Sequence, residues 1–212
     1  MNSTPAPQHS PGRRVAIHEA GHAVMAYLLG RPFTSISIEA DDESLGRVCH
    51  RLPGSWFRPD IEITARARNM IEDRVMILLA GTETERAWTQ RQPDAPEGWE
   101  QDADDGAEHD LHAAMDVASY VSDGDVPELE AYFEWLRQRV LGYTGRGAGF
   151  DVAAITPDPP AFLVRHYREG NDRFWVLVTA LADAVQTAGS LSWPRSRDVL
   201  RDADPMFGPR DR

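Results

Sequence analysis

Two histidines four residues apart, with a glutamate directly after the first, constrain this chain more than any other feature: His18-Glu19-Ala20-Gly21-His22. Positions i and i+4 share one face of a helix, so His18 and His22 can clamp a single metal ion there. Glu19 stands one residue beyond the first ligand, close enough to take a proton from a water at that metal. Five residues therefore supply most of a zinc hydrolase site, provided that they are helical.

The flanks predict that helix over residues 13–29. Ser10 can N-cap it, Pro11 suits its first position, and Gly30 followed by Pro32 ends it. Ile17, Met25, Tyr27, Leu28 and Leu29 make much of its surface apolar, as in a buried central helix. Gly21 costs about 1 kcal/mol relative to alanine at such a position, which points to another backbone packed closely against it.

The 212 residues suffice for one domain with a real core, expected over residues 13–201 between tails at 1–12 and 202–212. A net charge of −12 argues against nucleic acid or an anionic membrane as partner. Cys49 is the only cysteine, so no internal disulfide forms and a reducing compartment is expected. Residues 1–12 lack the apolar stretch of a signal peptide, and the apolar runs at 23–29 and 174–182 are too short to span a bilayer. The expectation is a cytoplasmic protein.

Beyond the motif, Ser35-Ile36-Ser37-Ile38-Glu39 alternates as a half-buried strand does, and residues 46–50 can return as a second strand after a turn at 41–44. A loop is expected at 53–60. Residues 64–80 read as a helix stopped by Gly81, and Thr82 with Glu85 as a capping box opening a short helix through Trp88. The acidic stretch 91–106 lacks periodicity and reads as a mobile loop. Residues 107–121 and 127–141 follow as helices, the first with Leu111, Ala114, Met115, Ala118 and Val121 inward. After a Gly-rich connection at 142–149, residues 160–188 form the longest helix, interrupted near Gly170, and the tail from Trp193 carries a short, fraying helix at most. The fold class is mainly α with one small β-hairpin or sheet.

A catalytic zinc takes three protein ligands and leaves its fourth position open. The extended motif with a third histidine close behind is absent, since Met25 and Leu28 stand in those places. Asp110, at the start of a helix, is one candidate for the third ligand; Glu130 or Glu134 is the other. Asp110 also reads simply as a helix-start carboxylate favoured by the macrodipole. His109 and His112 are expected in solvent, and Cys49 as a half-buried side chain rather than a ligand.

Residues Val15 to Val24 resemble the zinc helix of the FtsH-type ATP-dependent metalloproteases. Ile36-Ser37-Ile38 and Leu45-Gly46-Arg47-Val48 sit as they do in that family, and Leu79 to Glu85 is similar to its glycine-rich segment, with Thr84 in place of the usual alanine. Gly106-Ala107-Glu108-His109-Asp110-Leu111 resembles the segment carrying its aspartate ligand, and Asn171-Asp172-Arg173 with Leu177, Leu181 and Leu191 fits its C-terminal helix. The resemblance spans about residues 14–201.

It implies His18, His22 and Asp110 as ligands of Zn2+, Glu19 as catalytic base, and a helical, zincin-like peptidase domain whose sheet edge receives an extended substrate. Strand 35–39 or 46–50 would pair with that substrate. The family places an ATPase module ahead of the peptidase; here no Gly-x-x-x-x-Gly-Lys-Ser/Thr loop occurs and 17 residues precede His18. The expectation is a peptidase acting on peptides or unfolded proteins without ATP of its own, or one fed by an ATPase in trans. A zinc-binding regulatory module without catalysis is the alternative from a different class.

Overall fold

The computed structural model describes residues 11–40, 45–51, 54–92, 99–122, 125–145 and 161–204. Six helices and one sheet make up the described part: α1 (Pro11–Leu28), β1 (Phe33–Ser37), β2 (Arg47–His50), α2 (Ala65–Gln90), α3 (Trp99–Ser119), α4 (Val126–Thr144), α5 (Ala161–Ala188), β3 (Ser190–Ser192) and α6 (Trp193–Ala203). The expected turn at 41–44, the Ser10 cap and most of both tails lie outside the described residues. No helix among them is long and apolar enough to cross a membrane.

α1 runs through the centre, packed on α2 along one side and α5 along another, and α2 in turn carries α3 and α4. Ala16, Ile17, Ala20, Ala23, Val24, Met25 and Ala26 are all buried, as the apolar composition of this segment predicts. Gly30 ends the helix at φ +68°, a left-handed conformation that glycine adopts without a Cβ clash. Its N–H donates to Tyr27 O at 3.1 Å, and Arg31 N–H donates to Ala26 O at 2.7 Å. Gly21 has the close neighbour expected of it. A Cβ there would lie 2.6 Å from Thr84 Oγ1 and 2.7 Å from Ala80 O of α2.

The helix boundaries differ from expectation at several places. α2 is one continuous helix, capped by Thr64, whose side chain accepts from Ala67 N–H at 3.1 Å. Gly81 does not stop it and Thr82 opens nothing. Gly81 is not among the positive-φ glycines, and Thr82, Glu83, Thr84 and Glu85 are all buried mid-helix. The loop expected at 91–106 is helical from Trp99 onward; residues 93–98 lie outside the described part. Acidic residues suit the N-terminal turns of a helix. Asp110 consequently sits well inside α3, not at its start. Leu111 is 41% exposed rather than inward, whereas Ala107, Ala114 and Ala118 are buried. α4 runs one turn further than expected, to a left-handed Gly145.

β1 is the middle strand of an antiparallel sheet in the order β2-β1-β3. Ile36 faces Val48 on one side and Leu191 on the other. The third strand was not expected, because three residues carry no readable alternation. α5 continues through Gly170, since a glycine weakens a helix interior without breaking it. α6 is docked rather than frayed: Arg173 grips buried Asp204 with two hydrogen bonds of 2.9 and 2.7 Å, and Trp193 meets Phe33 edge-on.

The α1–α2 contact yields a sign test. Helix propensity alone favours Gly21→Ala by about 1 kcal/mol. Overpacking against Thr84 and Ala80 reverses that sign, and the variant should be less stable by about 1–3 kcal/mol in thermal or urea unfolding.

Candidate metal centre

α1 presents His18 and His22 on one face, with ring centroids 4.8 Å apart. Their Nε2 atoms stand 3.0 Å from each other. Asp110 reaches in from α3, its Oδ2 lying 3.1 Å from His18 Nε2 and 3.0 Å from His22 Nε2. Three donor atoms from two helices thus form a nearly equilateral triangle, and these residues are the group among the described residues able to share a cation. Glu130 and Glu134, the other candidates for third ligand, instead line a separate cavity between α2, α3 and α4.

The far nitrogens decide the chemistry of the triangle. His22 Nδ1–H donates to Ile77 O at 2.7 Å, and His18 Nδ1–H donates to Glu85 Oε2 at 2.8 Å. In neutral rings both Nε2 atoms then carry lone pairs. Two lone pairs and a carboxylate oxygen converge with no donor between them, an arrangement that only a cation stabilises. Metal–ligand bonds of about 2.0–2.1 Å space the corners of a tetrahedron about 3.3 Å apart, close to the sides of this triangle. The donor set therefore fits a zinc-like ion, which His18, His22 and Asp110 would hold.

Electrostatics give the same result. Burial disfavours charge on His18, yet hydrogen bonds to Asp110 and Glu85 and the nearby Glu19 push its pKa up to about 10. Burial disfavours charge on His22 too, yet the Asp110 charge and hydrogen bond, together with Glu19, push its pKa up. Asp110 is half-buried, which works against its charge, but the two imidazoles hold its carboxyl well below the usual carboxylate range. The acceptors that raise both histidines are the same groups that would favour a divalent cation.

Glu19 is buried beside the triangle, and burial pushes its pKa upward against the pull of the histidines. Its neighbour is Gly46 at the start of the β2 segment, where an added Cβ would lie 2.9 Å from Glu19 Cγ. A cleft of about 560 Å³ opens over these groups, walled by Gly46, Arg47 and Val48 on one side and by Arg74 and Leu78 of α2 on another. His109 and His112 are exposed and Cys49 is half-buried, as expected.

Two residues go beyond the sequence reading. Glu85, expected only as a capping residue, is buried, bonds His18 and pairs with Arg14 Nε at 2.8 Å. Gly81 lies flat against the His22 ring, whose Nε2 a Cβ would strike. The signal for both was their spacing along one unbroken helix, which the expected break at Gly81 concealed. No protein-family model matches the chain, and no curated protein matches it. The functional reading therefore rests on the geometry and on the sequence motif.

Partners that orient a ligating histidine typically change metal affinity about 10–100-fold when removed. Glu85→Gln should weaken zinc binding by that factor in a chelator-competition titration, while the far-UV circular dichroism stays that of the wild type.

Proposed function

We propose that this chain is a zinc-dependent metalloendopeptidase that hydrolyses peptide bonds in peptides or unfolded proteins, ATP-independent in itself. The observation that carries the reading is the convergence of His18, His22 and Asp110 on one point with a buried carboxylate, Glu19, beside them. The resemblance of the same residues to the FtsH-type zinc helix and aspartate segment supports it. Zinc held there supplies Lewis acidity, lowering the pKa of a water towards ~7 and polarising a carbonyl.

The chain's own groups do the rest. Glu19 accepts a proton as the water oxygen bonds to the scissile carbonyl carbon, then delivers it to the nitrogen as the C–N bond breaks, leaving a carboxylate and an amine. No hydrogen bond among the described residues ties the Glu19 carboxylate down, which suits a group that must receive and release a proton.

β1 is paired on both sides, so of the two strands considered for substrate only β2 offers an edge within the described sheet. A substrate laid along β2 would pass Gly46 and reach Glu19. Selection by backbone pairing favours extended chains, and an ATPase acting in trans in the cytoplasm would widen the range to folded proteins.

Casein cleavage by the zinc-loaded wild type and by Glu19→Gln tests the reading. The variant should keep its zinc and lose about 10²–10⁴ in rate. Undiminished cleavage in the variant would overturn the role of Glu19, and no cleavage by either protein at full zinc occupancy would overturn the peptidase in favour of a zinc-binding module.

A further inference from the structure

Along α2, the residues nearest the centre recur at helical spacing: Arg74, Leu78, Gly81 and Glu85. Gly81 and Glu85 serve the two histidines, and Leu78 lines the cleft. Arg74 has no such explanation. It is half-buried in the cleft wall, and among the described residues no carboxylate forms an ion pair with it. That is unexpected in a chain with 34 acidic against 22 basic residues, because a desolvated guanidinium is costly unless something neutralises it.

Its surroundings place the charge close to the metal triangle. Asp110 is the carboxylate whose field it feels, and His50, at the end of β2, shares the same wall. Burial and the Arg74 charge together push the His50 pKa down to about 3, so His50 is neutral and leaves the positive charge of Arg74 in place. Arginine stays charged under all working conditions. The cleft wall thus keeps a fixed cation that no carboxylate among the described residues pairs with.

We infer that Arg74 donates to the oxygen anion that develops on the scissile carbonyl. The inference rests on the peptidase reading and assigns its second electrophile. As the water oxygen bonds to the carbonyl carbon and its proton passes to Glu19, the C=O π pair moves onto the carbonyl oxygen. The Arg74 N–H groups hold that charge. When the pair returns, the C–N bond breaks and the proton on Glu19 goes to the amine nitrogen. A preformed donor of this kind contributes most where water is excluded.

The test uses the zinc-loaded 212-residue chain with Arg74→Ala and Arg74→Lys. A peptide blocked at both ends gives kcat and KM, chelator competition gives zinc affinity, and calorimetry gives the Kd of N-phosphoryl-leucinamide, a tetrahedral anion. In Arg74→Ala, kcat should fall about 10²–10³-fold with KM nearly constant, and the phosphoryl compound should bind more weakly by a similar factor. Zinc affinity should not change, and Arg74→Lys should recover part of both losses. Should Arg74→Ala fail to fold, Arg74→Lys carries the test, with smaller losses of the same pattern. Unchanged affinity for the phosphoryl compound overturns the inference, as does lowered zinc affinity, which would make Arg74 a positioning residue for Asp110. A loss confined to KM, with kcat unchanged, also overturns it, in favour of ground-state recognition. The calorimetric arm needs no turnover, so an inactive wild type would end the peptidase reading while the anion site was still decided.

Discussion

The close approach of α1 to α2 is the contact on which the centre depends. Gly21 lets the backbone of α1 lie against Ala80 and Thr84, and Gly81 lets the His22 ring lie against α2 in return. Reciprocal glycines bring the helices near enough for Ile77 O and Glu85 to reach the far nitrogens of His22 and His18. Each ring is thereby held at two points, by its own helix and by the neighbouring one. With a methyl group at either glycine, the spacing that makes three acceptors meet would be lost.

Charge is distributed around the centre with similar economy. The acidic groups Glu19, Glu85 and Asp110 face two imidazoles, and Arg14 neutralises Glu85 from behind. On the opposite face of α2, buried Glu83 accepts from Arg86 at 3.1 Å and from Arg137 of α4 at 2.9 Å. Glu85 and Glu83 are therefore matched on the two sides of one helix, as burial demands. α3 supplies the third donor of the triangle, Asp110, across a stripe of small residues, Ala107, Ala114 and Ala118, whose size allows it to come in close.

Much of this was legible in the sequence where a residue's local pattern and its tertiary role agree. α1 announces itself through Pro11, Gly30 and its apolar composition, and the spacing of His18 and His22 needs nothing but a helix. The residues alone left Asp110 beside Glu130 and Glu134 as candidates and only the resemblance singled it out, because a lone carboxylate in an acidic stretch carries no signal of what it faces. The errors arose where local and tertiary roles conflict. Gly81 reads as a helix stop because its real reason, room for an imidazole, comes from a segment some sixty residues away. Thr82 and Glu85 then imitate a capping box. β3 is too short to show a period, and the stability of α6 resides in Arg173–Asp204 and Phe33–Trp193, contacts between distant parts of the chain.

That α2 is a single rod has a consequence for what changes the chain can accept. Each residue of an α-helix turns it by about 100°. Between Arg74 and Glu85, substitutions at outward positions leave the angular relation of Arg74, Ile77, Gly81 and Glu85 untouched. One inserted or deleted residue would swing one end of that series off the site altogether. The length of this stretch is therefore as strictly specified as any side chain in it, and homologous sequences should differ here by replacement, never by a gap.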